Sequence, residues 1–175
     1  MRVLIAGILG GIAMYVWASV AHLSPLAMVG AHTLPDEGLV TAGLQLSLDD
    51  KGGVYVFPSQ ALSVKGAAKP GPAGMIAYDP HGAAAGPSPR QLVTEFGLEL
   101  VESLLLAAIV ATAAGFGQRM MVAALVGLIA AMATNLSYWN WYGFGLDYTL
   151  ANGFIELIKF LVAGLVIAAV LRRRA

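Results

Sequence analysis

The sequence predicts an all-α membrane protein with four transmembrane helices, N-in/C-in, and a small outward-facing loop subdomain that contains short β-strands. First, 58% of its 175 residues are apolar and only 11% are charged, against about 25% charged residues in soluble domains. Second, four stretches are apolar over about 20 residues, the length that lets a hydrogen-bonded helix cross ~30 Å of hydrocarbon. These predicted spans cover residues 3–21, 97–116, 120–138 and 152–171.

The composition also excludes several classes of protein. Ten Lys and Arg residues balance ten Asp and Glu residues, so no basic excess is present to bind nucleic acid. The chain has no Cys, which excludes disulfides, thiolate nucleophiles and iron–sulfur clusters. None of its three His lies within a predicted span, and no nucleotide-binding or hydrolase motif occurs. We therefore predict no catalytic residue, no metal and no cofactor.

The arginines indicate the orientation of the spans, because cytoplasmic loops retain Lys and Arg. An even number of spans places both chain ends on one side of the membrane. With the ends inside, Arg2, Arg119 and the run 172–174 are all cytoplasmic, whereas the opposite orientation would export all five. This distribution predicts a multi-pass protein of the bacterial inner membrane, with the loop 22–88 on the periplasmic, extracytoplasmic side.

The predicted organisation follows from these spans. The segments are helix 1 (1–21), the loop subdomain (22–88), helix 2 (89–117), helix 3 (120–138), an aromatic outer turn (139–149), helix 4 (150–171) and a basic cytoplasmic tail (172–175). Helix 1 also resembles a signal peptide, because Arg2 precedes the apolar run and Ser19-Val20-Ala21 is a small-x-small cleavage site. Its apolar run exceeds the 7 to 15 residues of a signal sequence, which favours a retained helix.

Within the loop subdomain, two short segments have the composition of strands. Residues 53–57 and 75–78 are rich in β-branched and aromatic side chains between turn residues, which predicts a two-stranded ribbon. Residues 39–48 fit either a strand or a helix, and a helix that begins at Pro35-Asp36-Glu37 is favoured. The loop ends at Ser88-Pro89-Arg90-Gln91, a helix start with a capping box.

Two features are candidate interfaces. In the first span, Gly7 and Gly11 form a G-x-x-x-G motif that lets another helix approach closely, and packing within the chain is favoured over a dimer contact. At the outer end of the third span, aromatic residues are unusually dense. We call them the aromatic collar: Tyr138, Trp139, Trp141, Tyr142 and Phe144. Such residues commonly anchor a protein at the lipid headgroups, and the alternative is that they bind a lipid, a pigment or a partner helix.

Ionisable residues inside the spans form the candidate polar cluster, because charge near the bilayer centre costs at least about 2.5–3.5 kcal/mol. Glu95, Glu99 and Glu102 share one helix face at i, i+4 and i+7. Glu156, Lys159 and Asn135 lie at matching depths, counted from the predicted outer ends of their spans. We expect the cluster in the outer third of the bundle, with Lys159 paired to a glutamate and at least one other carboxyl protonated or bound to a cation. A packing role is favoured over a transport or catalytic site.

A resemblance accompanies these features. The segments Trp17-x4-His22-Leu23-x-Pro25, Leu34-Pro35-Asp36-Glu37, Gly53-x-Tyr55-x-Phe57-Pro58, Ser88-Pro89-Arg90-Gln91 and Ser137-Tyr138-Trp139-Asn140-Trp141-Tyr142-Gly143-Phe144 span most of the chain. Together they resemble a group of bacterial four-helix inner-membrane proteins that has no assigned activity. The resemblance implies the fold and the location, and it transfers no catalytic residue to this sequence.

From the sequence we expect a non-enzymatic membrane protein, an accessory or scaffold subunit of a larger complex in the lipid bilayer, or a homo-oligomer. The alternative is a small transporter or outward-facing binding protein for a cation or small polar solute, which would use the intramembrane carboxylates and Lys159. A membrane-embedded acid–base enzyme is a third interpretation and ranks last, because no substrate pocket can be identified.

Overall fold

The computed structural model describes residues 1–48, 50–59, 71–82 and 86–172. The chain divides into two compact units, one formed by Met1–Gly30 with Pro87–Ala175 and the other by Ala31–Gly86. Of the predicted basic tail, only Arg172 falls within the described residues. The helices are α1 (Arg2–His22), α2 (Glu37–Leu48), α3 (Pro89–Val110), α4 (Phe116–Ala131), α5 (Ser137–Tyr142) and α6 (Leu146–Val170).

Three helices in the described chain are long and apolar enough to cross a membrane. They are Arg2–His22, Leu146–Val170 and the continuous helix Phe116–Tyr142, in which a π-helical turn at Met132–Leu136 joins α4 to α5. The 22 residues of α3 would also reach across, but Glu95, Glu99 and Glu102 make this helix less apolar. The fourth predicted span therefore remains a prediction.

Helix α1 packs lengthwise and antiparallel against α3. A Cβ built on Gly7 would lie 3.0 Å from Leu104 Cα, and one built on Gly11 would lie 3.0 Å from Leu100 Cα. Further along the same contact, the rings of Tyr15 and Phe96 meet edge to face at 5.3 Å. The G-x-x-x-G motif thus packs within the chain, as the sequence analysis favoured, and these two glycines are not free as a partner interface.

Helix α6 packs against α4, and this pair is also antiparallel. A Cβ on Gly127 would lie 2.7 Å from Phe160 Cβ, and one on Gly164 would collide with Ala123 Cβ. Helix α6 also contacts α1 extensively, whereas α3 touches α4 and α6 only sparsely. The buried core of this unit comes from all four long helices and includes Met14, Leu106, Ala123 and Ile167. Glycine and alanine at the contact positions explain how these helices approach so closely.

Two predicted boundaries are wrong. Helix 2 ends at Val110, short of residue 117, and a turn leads from there to α4. The predicted aromatic outer turn 139–149 is mostly helical, because α5 continues to Tyr142 and α6 already begins at Leu146. Only residues 143–145 form the turn, and Gly143 caps α5 in the left-handed region at φ 74°. The prediction was wrong because a preference of Trp and Tyr for membrane interfaces does not itself end a helix.

The smaller unit contains α2 and a two-stranded sheet. Helix α2 begins at Glu37, and the Asp36 carboxylate accepts a hydrogen bond from Leu39 N at 3.0 Å, which confirms the helical interpretation of this segment. Strands β1 (Gly53–Phe57) and β2 (Gly74–Tyr78) pair antiparallel, with Tyr55 opposite Ile76. The predicted ribbon is therefore present.

Candidate functional site

The ionisable residues meet halfway along the helices. Glu99 is the eleventh of the 22 residues of α3, and Lys159 is the fourteenth of the 25 residues of α6. The backbone oxygen of Glu99 lies 3.5 Å from a Cβ built on Gly11, which is the tenth of the 21 residues of α1. The prediction placed the cluster in the outer third of the bundle. That depth was counted from the apolar windows and stays a prediction, because α3 and α6 begin eight and six residues before those windows and the middle of a helix is not a measure of its depth in the membrane.

Lys159 joins two glutamates from different helices. Its Nζ lies 3.0 Å from Glu102 Oε2 on α3 and 3.1 Å from Glu156 Oε1 on α6. The Lys159 side chain is 9% exposed, whereas Glu102 and Glu156 are 40% and 28% exposed. The expected Lys–Glu pairing is thus present in the structure. The two carboxylates form the accessible side of the group, and the ammonium lies behind them.

Glu99 differs from its two neighbours. The residue is 1% exposed, and neither carboxyl oxygen has a hydrogen-bond partner within the part of the chain that the structure describes. Lys159, Glu95, Glu102 and Glu156 all lie within range of its charge. An ionised carboxylate in this position would lack the donors that offset its lost hydration. Among the carboxyl groups of this ion-paired cluster, Glu99 is therefore the one whose charge no ion pair with a described residue would neutralise.

Two predicted members of the cluster lie outside the ion-paired group. Asn135 sits in the π-helical turn, and its side-chain Nδ2 donates to Ala131 O at 3.0 Å within its own helix. Glu95 is exposed, one helical turn from Glu99, and forms no ion pair with a described residue. Asn135 was predicted from its depth, which does not show in which direction a side chain points. Glu95 was predicted from the helix face that it shares with Glu99, but it lies one turn beyond the buried part of that face.

Two polar contacts beside the cluster were not predicted. Ser103 Oγ, which is buried, donates to Gly7 O at 2.8 Å and links α3 to α1. Trp17 Nε1 donates to Ile155 O at 3.0 Å and links α1 to α6, one helical turn from Lys159. In the sequence, Ser103 follows Glu102 directly, and Trp17 lies in an apolar span where its N–H needs an acceptor. The sequence thus contains two polar groups that need a partner inside the bundle. Their acceptors are backbone oxygens, which no sequence motif identifies.

The aromatic collar is largely exposed in the helical unit. Trp141 is 76% exposed, and Tyr138, Trp139 and Tyr142 are also exposed. The rings of Tyr138 and Phe144 lie 5.5 Å apart across the turn, and Phe144 in turn contacts Tyr148 of α6 at 5.6 Å. These contacts order the turn while leaving the two tryptophans free for lipid or for a partner.

Comparison with protein-family models, curated proteins and solved structures finds no match. The resemblance to bacterial inner-membrane proteins thus remains a prediction. Within the described residues, no three His, Asp or Glu side chains are close enough together to hold a metal ion. The candidate site is therefore defined by its own geometry, an ammonium shared by two carboxylates with a third carboxyl buried beside them.

Proposed function

We propose that this chain is a multi-pass protein of the bacterial inner membrane, with four spans and both ends in the cytoplasm. Helix α3 lies antiparallel to α1 along its length, which supports its crossing the same layer despite its glutamates. At the other end of the chain, Arg172 stacks on Phe116 at 5.0 Å, so the start of α4 and the end of α6 lie together. Arg119 and Arg172 then share one side of the membrane, the cytoplasmic side by the positive-inside rule.

The proposed function is binding of a small cation at Glu99, Glu102, Glu156 and Lys159, without catalysis. The observation that carries this proposal is the buried Glu99 carboxyl, whose oxygens have no hydrogen-bond partner in the described chain. The four groups carry three potential negative charges and one positive charge. Inside a membrane such an excess is costly, and a bound cation reduces it.

Access to the site is proposed from the outer side. On the way to the arginine-bearing end, residues 3–10, 103–110, 120–127 and 160–171 contain no Asp, Glu, Lys or Arg. Towards the other end, Glu95 is exposed on the same helix as Glu99. A cation that approaches from outside meets carboxylates, whereas one that approaches from the cytoplasm meets only apolar helix. The arrangement supports an outward-facing binding site and gives no support for a continuous path through the bundle.

The test is equilibrium binding to the purified full-length chain in lipid nanodiscs. Radioactive sodium, radioactive rubidium as a substitute for potassium, and protons released or taken up in a pH jump are each measured per chain. We expect one of the three to bind to the wild type and to the Glu95→Gln control, and to be lost in Glu99→Gln. If none of them binds in a way that depends on Glu99, the proposed function is wrong.

A second candidate function, an accessory or scaffold subunit of a larger membrane complex, is favoured by the exposed tryptophans of the aromatic collar. Purification of the tagged chain from its native membranes in mild detergent tests this alternative. A partner that is recovered at constant stoichiometry, and that is lost from a Trp139→Ala/Trp141→Ala variant, would establish it. Recovery of the chain alone, or as a homo-oligomer, would leave the cation-binding function as the proposal.

A further inference from the structure

The three carboxyl groups of the site fall into two kinds. Glu102 and Glu156 lie on the accessible side and share the Lys159 ammonium at 3.0 and 3.1 Å. Glu99 is 1% exposed and has no ammonium within ion-pair distance among the described residues. Lys159 therefore neutralises part of the charge of the two accessible carboxylates. The buried Glu99 carboxyl has no such partner, and a cation from solution would have to neutralise it.

The space around Glu99 favours the smallest cation. A metal ion takes several oxygen ligands, for example six for Mg²⁺ and six to eight for Ca²⁺. The site carboxyls do not converge on one point in the way that metal ligands do. On the α1 side, the helix backbones are in contact through Gly11, and the rings of Tyr15 and Phe96 pack one turn further along. A proton needs only one oxygen and no coordination shell.

We infer that the bound cation is a proton and that Glu99 is the residue that carries it. This inference rests on the proposed cation-binding function and narrows it. Uptake forms one O–H bond at a Glu99 carboxyl oxygen, while a hydronium ion loses that proton and becomes water, so no electron is transferred. Lys159 stays paired with Glu102 and Glu156, so Glu99 is the carboxyl that takes the proton.

The charged and titratable groups around Glu99 are few. From α6, Lys159 and Glu156 act on it, and from its own helix α3, Glu95 and Glu102 do so. The facing stretch of α1 from Gly7 to Ala18 contains no acidic or basic residue, and its one titratable group is the Tyr15 phenol. Of these groups, Lys159 interacts most strongly with the charge of Glu99, so a change in protonation of Glu99 acts mainly on the Lys159 ion pairs.

Infrared difference spectroscopy of the protein in nanodiscs tests the inference, because a protonated carboxyl has a C=O stretch that a carboxylate lacks. We expect a carboxylic-acid band that grows as the pH is lowered and is the same in sodium, potassium and choline chloride. The band should vanish in Glu99→Gln and persist in the Glu95→Gln control. In Glu99→Asp, which keeps a carboxyl group if the glutamine variant does not fold, the band should shift in frequency.

The outcomes separate this inference from the proposed function. A band that is unchanged in Glu99→Asp, or present in Glu99→Gln, assigns the proton to another group and overturns the inference. If sodium or rubidium binds in a way that depends on Glu99 and no acid band appears, the bound cation is a metal ion and not a proton. That result would overturn the inference, and the proposed cation-binding function would remain. The absence of both the acid band and metal-ion binding would overturn the two proposals together.

Discussion

Lys159 Nζ lies 3.0 Å from Glu102 Oε2, and this ion pair connects the middle of α6 to the middle of α3. These two helices otherwise touch only sparsely, whereas α1 packs extensively against both. The same ammonium bonds Glu156 on its own helix at 3.1 Å. The ion pairs therefore combine two effects, a direct link between α3 and α6 and a fixed charge beside Glu99.

The first prediction concerns the two partners of this ion pair. Lys159→Met leaves Glu102 and Glu156 without a cation, and we expect it to lower the free energy of unfolding by about 3 kcal/mol. Glu102→Gln should cost only about 1 kcal/mol, because Glu102 is partly exposed and Glu156 still binds the ammonium. The measurement is denaturation by sodium dodecyl sulfate in mixed micelles, with Glu95→Gln as the control.

The double variant Lys159→Met/Glu102→Gln makes this prediction sharper. If the pair interacts, the double variant should be less destabilised than the sum of the two single variants, because it has one unpaired carboxylate fewer. Simple additivity would show that the 3.0 Å contact contributes nothing to stability.

The second prediction concerns the contact between α4 and α6. A methyl group on Gly164 collides with Ala123 Cβ, which is rigid and cannot turn aside, so Gly164→Ala should destabilise the protein by about 1–3 kcal/mol. Gly153→Ala on the same helix is the matched control. A Cβ there meets nothing within 4 Å, and alanine should stabilise the helix by up to about 1 kcal/mol.

Moving the methyl group back tests the cause. Gly164→Ala/Ala123→Gly places the same atoms on the other side of the contact and should recover most of the lost stability. The two changes in helix propensity cancel in the double variant. The explanation therefore fails if the double variant unfolds as easily as Gly164→Ala, because the clash would then not be the cause of the loss.

The sequence predicted those parts of the fold that depend on local chemistry. The Ser88 hydroxyl accepts from Gln91 N at 3.3 Å and the Gln91 side chain accepts from Ser88 N at 2.7 Å, so the predicted capping box is present. The ribbon and α2 were likewise predictable, because turn residues and β-branched side chains act over a few positions. Lys159 was correctly expected to meet a glutamate, since a lone ammonium in an apolar bundle is too costly.

What the sequence could not supply is which helix faces which, and at what height. Gly10 illustrates this limit. A Cβ built on Gly10 would meet Ser103 Oγ and Ile167, which lie more than 90 and 150 positions away in the sequence. The position of the cluster along the helices was hidden for a related reason. Apolar windows mark where hydropathy changes, whereas α3 and α6 begin before those windows, so the cluster lies near the middle of each helix.

The third prediction distinguishes four spans from three. The chain has no Cys, so single-cysteine variants at His81, Gly117 and Asn140 each carry one thiol to label with a membrane-impermeant maleimide. If α3 crosses the membrane, positions 81 and 140 should react on intact spheroplasts, and position 117 should react only after lysis. If α3 does not cross, positions 117 and 140 exchange behaviour while position 81 stays reactive. The pattern at these two positions therefore decides the span count.

The fourth prediction concerns the indole of Trp17, which donates to Ile155 O at 3.0 Å and joins α1 to α6 beside the ion-paired group. Trp17→Phe keeps an aromatic ring but removes the donor, and we expect a loss of about 1 kcal/mol in the free energy of unfolding in mixed micelles. Trp141→Phe is the same chemical change at an exposed ring and should stay within about 0.5 kcal/mol of the wild type. Because Ile155 lies one helical turn from Lys159, Trp17→Phe should also weaken the coupling measured between Lys159 and Glu102. If the two tryptophan variants are equally stable and the coupling is unchanged, this hydrogen bond does not fix the position of α6 along α1.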